Sequence, residues 1–358
     1  MIRGRVSDDD GMRHATGRAM GAGPSALHLG VVREQWRMST PLRMNGYLMQ
    51  ETDVIVATLS DGVFAGRGEA IGVFYLGDTS DRMVLQLEAV REVIEAGISR
   101  ADLRRLMPPG GARNAVDCAM WELESKRSGS TIEEMAGLPD ARPLLTTCTI
   151  GADSPETMAR TAAEKYRNAQ ALKLKLLGDV VDAERVRRVR AARPNVWMGV
   201  DANQAYDVER LDALLPVLSE ARVALIEQPF QAGEEGLMDK VRRVIPFAAD
   251  ESAQTLEDVA CLVGRFDVVN IKLDKCGGLT EALLMMAEVQ RLGMRAMVGN
   301  MGGTSLAMAP ALILGQGCDV VDLDGPLFLA TDRVPGVSYR NGLVSGQPGV
   351  WGWARPGT

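Results

Sequence analysis

After residue 140, short apolar runs recur at nearly even intervals, and most of them end on a charged residue. They read LLTTCTI, ALKLKL, VWMGVDA, VALIEQP, IPFAAD, DVVNIKL, RAMVGN and DVVDLDG. Helical segments lie between them, such as DAERVRRVRAAR, closed by Pro194, and EALLMMAEVQRLG, closed by Gly293. The charged ends keep step. Lys175 to Asp201 is 26 residues, Asp201 to Glu227 is 26, Glu227 to Asp250 is 23, and Asp250 to Lys272 is 22. Each step has the length of one strand, one helix and two loops. Eight such strands in succession predict a closed parallel barrel with helices outside. An open doubly wound sheet is the alternative, but no Gly-rich phosphate loop follows a first strand.

The 358 residues exceed one small core and suit a barrel with an added domain. Before residue 140 the style differs. Strand patterns come first, LHLGVVREQW, DVIVATL and VFAGRGEA, the last two joined through the hairpin signal Asp61-Gly62. Helical patterns follow at 81–96 and 113–127. We therefore expect a mobile extension over 1–26, an α+β capping domain over 27–140, a barrel over 141–326, and a segment over 327–358 that returns to the cap. Residues 1–26 make a poor signal peptide, because no apolar region follows the first charges.

In a parallel barrel, chemistry sits at the C-terminal strand ends. There the chain places Lys173 and Lys175, then Asp201 in GVDAN, Glu227 in LIEQP, Asp250 and Glu251 in AADES, Lys272 in NIKL, and Asp322 and Asp324 in DLDG. One acid at a strand end signifies little, and an ion-pair network would account for it. Three carboxylates in register, Asp201, Glu227 and Asp250, repel unless a cation lies among them. Oxygen-only donors point to Mg²⁺ or Mn²⁺. Lys173 and Lys175, two residues apart, share one strand face. Each disfavours protonation of the other, and burial acts the same way, so the pair is expected to yield a lysine base that is neutral near physiological pH. Lysines that extend into solvent are the bland alternative. Lys272 arrives from the far side of the barrel. Asp322 and Asp324 likewise face one way and need a positive partner, either a loop cation or a ligand.

Taken together, these motifs resemble the enolase superfamily in its lysine-based, muconate-lactonizing-like branch. The likeness is carried by KxK at Lys173 and Lys175, by Asp201, Glu227 and Asp250, and by Lys272 within NIKLDKCGG. Mandelate-racemase-like members use a barrel histidine, and this chain has only His14 and His28, both read as surface or tail residues. Within the branch the chain resembles dipeptide epimerases, whose eighth-strand DxD is matched by Asp322 and Asp324. The resemblance runs from about residue 28 to the end. It implies an α/β fold, a (β/α)₇β TIM-like barrel with an α+β cap built from the N-terminal part and the C-terminal tail. It also implies Mg²⁺, with Mn²⁺ as substitute, and a dipeptide whose α-ammonium is held by Asp322 and Asp324 and which Thr149 contacts. The implied reaction inverts the α-carbon of the C-terminal residue by 1,1-proton transfer through an enediolate. Lys175 and Lys272 are then the two bases, with Lys173 assisting.

The segments 43–49 and 72–78 are expected to cover the substrate side chain. They offer Met44, Tyr47, Leu48, Met49, Phe74, Tyr75 and Leu76 against one cation, Arg43, which favours apolar C-terminal residues over Glu. Met301, in GNMGGTS, is a further candidate contact.

A muconate cycloisomerase or o-succinylbenzoate synthase would share the lysines and the triad but leave the DxD nothing cationic to hold. A non-catalytic barrel acting as a binding protein is the rival of another class, and the cost of so many buried charges argues against it. A net charge of −7 argues against nucleic-acid binding. No apolar stretch reaches the roughly 20 residues of a membrane helix. Five cysteines without CxxC spacing suit a reduced, cytoplasmic setting. A homo-oligomer is left open.

Overall fold

The computed structural model describes residues 27–44 and 47–352, with backbone alone for 40–44 and 47–49. The cap begins with β1 (His28–Met44), which pairs antiparallel with β2 (Tyr47–Ser60), and β2 pairs with β3 (Ala65–Ala70). Gly62, at φ +86°, turns the chain between β2 and β3, as the Asp-Gly signal predicts. Three helices follow: α1 (Ser80–Glu95), α2 (Arg100–Leu106) and α3 (Gly111–Ser128). The two helices foreseen at 81–96 and 113–127 are α1 and α3. The short α2, capped by Ser99, went unforeseen because seven residues carry too little periodicity.

Two glycines let α3 press onto the sheet. A Cβ at Gly66 would lie 2.0 Å from the Ala119 carbonyl, and one at Gly68 2.1 Å from that of Ala115. The opposite side of α3 meets the barrel, where Asp117 accepts from the Thr280 amide at 2.9 Å and Arg113 donates to the Gly277 carbonyl at 3.1 Å. Nearly all of α3 is consequently buried.

A two-residue strand, β4 (Leu144–Leu145), precedes the barrel. The barrel strands are β5 (Thr147–Ile150), β6 (Ala171–Lys175), β7 (Trp197–Asp201), β8 (Leu225–Glu227), β9 (Phe247–Ala249), β10 (Val268–Ile271), β11 (Arg295–Val298) and β12 (Val320–Val321). They form one parallel sheet in sequential order, as expected. The run LLTTCTI, read as one strand, is divided: Leu144–Leu145 joins β13 (Ser338–Arg340) and β14 (Leu343–Ser345) in a separate antiparallel sheet, and the Thr146 amide bonds to the Gly342 carbonyl at 3.0 Å. Side chains help join the first and last barrel strands. The Thr149 amide donates to Asp324 Oδ2 at 2.6 Å, and the Leu323 amide to Thr146 Oγ1 at 2.9 Å.

Inside the barrel, Leu225, Ala248, Val268 and Met297 form an apolar floor with Trp197 and Val320 against it. All but Met297 lie two or four residues before a charged residue at the strand end, so alternation puts those charged groups on the same inward face in a higher layer. Beyond Phe328 the chain meets the cap again. Arg333 pairs with Glu34 at 2.6 Å and Glu69 at 2.8 Å, and Trp351 Nε1 donates to the Arg67 carbonyl at 2.8 Å. Among the described residues no helix is long and apolar enough to cross a membrane.

Candidate active site

Strand pairing sets the site's geometry. Lys175 is registered against Asp201, Asp201 against Glu227, and Glu227 against Ala248, two residues before Asp250. One oxygen from each of Asp201, Glu227 and Asp250 lies within 4.8 Å of the others, and all three residues are buried. The lysines reach the same cluster. Lys175 Nζ lies 2.6 Å from Asp201 Oδ2, and Lys173 Nζ is 3.4 Å from that oxygen and 3.3 Å from Glu227 Oε2. From the opposite wall, Lys272 Nζ is 2.6 Å from Asp250 Oδ2.

The electrostatics show why a cation suits the centre. Burial, then repulsion by Asp201, pushes the Glu227 carboxyl up to about 8. Burial works the same way on Asp201 and Asp250, but lysines outweigh it there, and both stay below the ordinary carboxylate value. A charge of three carboxylates with oxygen donors only fits a hard divalent ion such as Mg²⁺.

At Lys173 the expected depression of basicity is reversed by the charge balance. Burial opposes the Lys173 ammonium, yet Asp322, Glu227 and Asp201 outweigh it and hold its pKa above the usual lysine value. Lys272 is raised in the same way, mainly by Asp250 against burial. Acids at hydrogen-bond distance dominate over a second ammonium farther off.

Asp322 and Asp324 also turn inward. Asp322 accepts from Lys173 Nζ and Thr147 Oγ1, and Asp324 from the Thr149 amide. Burial, then repulsion by Asp322, pushes Asp324 up to about 6. A cavity of about 580 Å³, its open mouth included, joins these groups; Thr149, Lys173, Lys175, Lys272, Asp322 and Asp324 all line it. Met301 lines it too, beside Phe328 and Leu329.

Among the described residues, Met38, Thr52 and Ile71 line the cavity from the cap. Of the 72–78 segment, Phe74–Leu76 forms one 3₁₀ turn. Leu76 is 55% exposed, and the Tyr75 hydroxyl meets Gln254 Nε2 at 3.2 Å. Arg43 lies near the end of β1, opposite Leu48; its side chain, like those of Met44 and Tyr47–Met49, is outside the described residues. His28 is surface-exposed beside Glu95, and His14 falls outside the described residues.

Two buried residues at the site escaped the sequence reading. Asn270 Nδ2 donates to Glu227 Oε1 at 2.8 Å, and Lys275 Nζ to Asp250 Oδ1 at 2.6 Å. Their signals were a polar residue inside the run DVVNIKL and a second lysine one helical turn after Lys272. Gly299 makes room for both Asn270 and Lys272: a Cβ there would lie 2.5 Å from Asn270 Oδ1 and 3.0 Å from Lys272 Cε. Gly299→Ala is therefore expected to cut kcat/KM by about 10²-fold through displacement of these two side chains. The accompanying loss of stability should stay within about 1–3 kcal/mol, read by chemical denaturation. Unchanged kcat/KM in the folded variant would show that Lys272 tolerates the shift.

The chain is similar to known proteins. The Enolase C-terminal domain-like family matches residues 157–328. The L-Ala-D/L-Glu epimerase of Escherichia coli (strain K12) is 34% identical over 87% of this chain and 97% of its own length. An N-acetyl-D-glutamate racemase from a Pseudoalteromonas species is 34% identical over 84% of this chain and 96% of its own. A crystal structure of an enolase family member from Agrobacterium tumefaciens, with homology to dipeptide epimerases and with sodium and L-Ala-L-Glu bound, superposes with TM-score 0.87. It is 41% identical and covers 91% of this chain and 100% of that one. A Methylococcus capsulatus dipeptide epimerase complexed with Mg and L-Arg-D-Lys gives TM-score 0.85 at 28% identity, over 91% and 99% of the two chains.

Proposed function

The chain belongs to the enolase superfamily, among the dipeptide epimerases, and from that premise we propose a Mg²⁺-dependent epimerase that inverts the α-carbon of the C-terminal residue of a dipeptide. The observation that carries this reading is the opposition of Lys175 and Lys272 across three converging carboxylates. β6 and β10 are four strands apart in a sheet of eight, so the two ammonium groups approach one cavity from opposite walls.

Asp201, Glu227 and Asp250 would hold the cation, which supplies positive charge beside the substrate carboxylate as electron density moves onto it. Lys175 Nζ takes the α-proton on one face, and Lys272 Nζ delivers one on the other. In the reverse direction the roles exchange. Lys173, wedged between Asp322 and Glu227, bridges the carboxylate cluster to the DxD and is placed to pair with the substrate carboxylate. Asp322 and Asp324 take the α-ammonium, and Thr149 fixes Asp324 through its amide. Five unpaired cysteines accord with a cytoplasmic enzyme.

Among the described residues, the cavity's apolar lining (Met38, Ile71, Met301, Phe328 and Leu329) favours an apolar C-terminal side chain, and the cations that line it there are the three lysines. Relatives named for Ala-Glu stand against that preference. A second reading, an N-acyl amino acid racemase, has two observations in its favour: one relative is named an N-acetyl-D-glutamate racemase, and both Asp322 and Asp324 already have partners in the protein. One panel separates these. L-Ala-L-Leu, L-Ala-L-Phe, L-Ala-L-Glu, their N-acetyl forms and N-acetyl amino acids are incubated with enzyme and Mg²⁺ in D₂O, and α-deuterium is counted by mass. We expect free dipeptides to exceed N-acetyl compounds by at least about tenfold in kcat/KM, the value of a charge-assisted pair. N-acetyl amino acids outrunning every dipeptide would replace this reading by the racemase. L-Ala-L-Glu leading, with its advantage lost in Arg43→Ala, would make Arg43 the specificity residue.

A further inference from the structure

The carboxylates of the triad share a pattern that the reaction alone does not require: in each, one oxygen is already taken by a donor of the protein. Asp201 Oδ1 accepts from the Asn203 amide at 2.9 Å. Asn203 reaches it by adopting φ +41°, a left-handed conformation uncommon outside glycine. Glu227 Oε1 accepts from Asn270 Nδ2 at 2.8 Å. Asp250 Oδ1 accepts from Lys275 Nζ at 2.6 Å, and the same ammonium bonds to the carbonyls of Asp250 and Asn270. The Lys275 side chain is fully buried. The other oxygens, Asp201 Oδ2, Glu227 Oε2 and Asp250 Oδ2, are the ones met by Lys175, Lys173 and Lys272, which line the cavity.

We infer that these donors leave each carboxylate only its lysine-facing oxygen to offer a cation, and so make the site selective for a small six-coordinate cation over a large one. Asn270 and Lys275 are the positioning residues that enforce this. The inference rests on the cation reading above and deepens it. Mg²⁺ takes six ligands in a tight octahedron, and three one-oxygen carboxylates leave three positions for substrate and water. Ca²⁺ prefers six to eight ligands and gains them from carboxylates that bind through both oxygens. Here a two-oxygen mode at Asp250 would leave a buried ammonium without its carboxylate, which is costly. At Glu227 it would strand the Asn270 amide. Mn²⁺, also at home in six-oxygen sites, should pass the same filter.

Calorimetric titration of the full chain with MgCl₂ and CaCl₂, without substrate, tests this. The wild type should bind Ca²⁺ at least about tenfold more weakly than Mg²⁺. Lys275→Met and Asn270→Ser should each lower the Ca²⁺-to-Mg²⁺ Kd ratio several-fold, and together should bring it to about one. The ratio is the proper readout, because loss of the Lys275 charge strengthens both divalent ions alike. Circular dichroism checks folding. Should Lys275→Met not fold, Asn270→Ser and the wild-type ratio decide. Equal affinities in the wild type, or an unchanged ratio in a folded variant, overturn the inference. Failure of the wild type to bind any divalent ion instead overturns the metal assignment, independently of the reaction.

Discussion

Glu227→Gln is expected to lower kcat/KM by about 10³-fold or more, the scale on which removal of preorganised charge stabilisation acts. Glu227 is the central member of the triad, registered against Asp201 on β7 and two residues out of step with Asp250 beyond β9. Gln keeps the shape and a carbonyl oxygen for Asn270 but removes one of three charges that would hold the cation. The fold should not suffer in proportion. Glu227 sits buried beside Asp201, which repels it, while Lys173 keeps both Asp322 and Asp201 as partners. Thermal unfolding of the metal-free variant should therefore match or exceed wild type, which separates lost chemistry from lost structure. Asp201→Asn and Asp250→Asn should be as inactive, and EDTA should reproduce their effect on the wild type until Mg²⁺ or Mn²⁺ is restored. Full activity of the wild type in EDTA would refute the metal's part in the reaction.

The residues that were legible in advance share a physical cause. In a parallel barrel an apolar run must stop where the strand reaches the mouth, and a charged residue at that point is visible in one dimension. Asp201, Glu227, Asp250, Lys175 and Lys272 were all read in this way, and the structure brings them together. What stayed hidden depends on contacts across the sheet. Asn270 and Lys275 matter only because β8 and β9 put Glu227 and Asp250 beside them, 43 and 25 residues away. The Thr149 to Asp324 bond spans 175 residues. The sign of the Lys173 shift was misjudged for a related reason: Lys173 and Lys175 are neighbours in sequence, whereas the acids that dominate Lys173 lie on β8 and beyond β12. Met38 and Thr52 were not foreseen because they face the cavity from within long strands, outside the segments 43–49 and 72–78.

Lys272→Ala and Lys175→Ala should each abolish epimerisation, by at least about 10³-fold, while differing in what they leave behind. Inversion needs a proton removed on one face and returned on the other. With Lys272 gone, Lys175 still reaches its own face, and α-deuterium enters one epimer of the dipeptide in D₂O without crossing to the other. With Lys175 gone, the exchanging epimer should be the opposite one. The arginine variants sharpen the test. Arg keeps a positive charge near Asp250 or Asp201 but does not deprotonate in a protein. Lys272→Arg should therefore be as inactive in epimerisation as Lys272→Ala, although Asp250 keeps a cationic partner. If charge alone were the lysines' contribution, the arginine variants would instead recover most of the activity. Proton NMR of the α-position reads both outcomes at once, since loss of the α-proton signal reports exchange and the appearance of a second set of resonances reports inversion. Epimerisation at wild-type rate in both alanine variants would exclude the two lysines as the bases. Exchange of the same epimer in both would exclude their opposition across the substrate plane, which is the geometry that Nζ contacts to Asp201 on one wall and Asp250 on the other require.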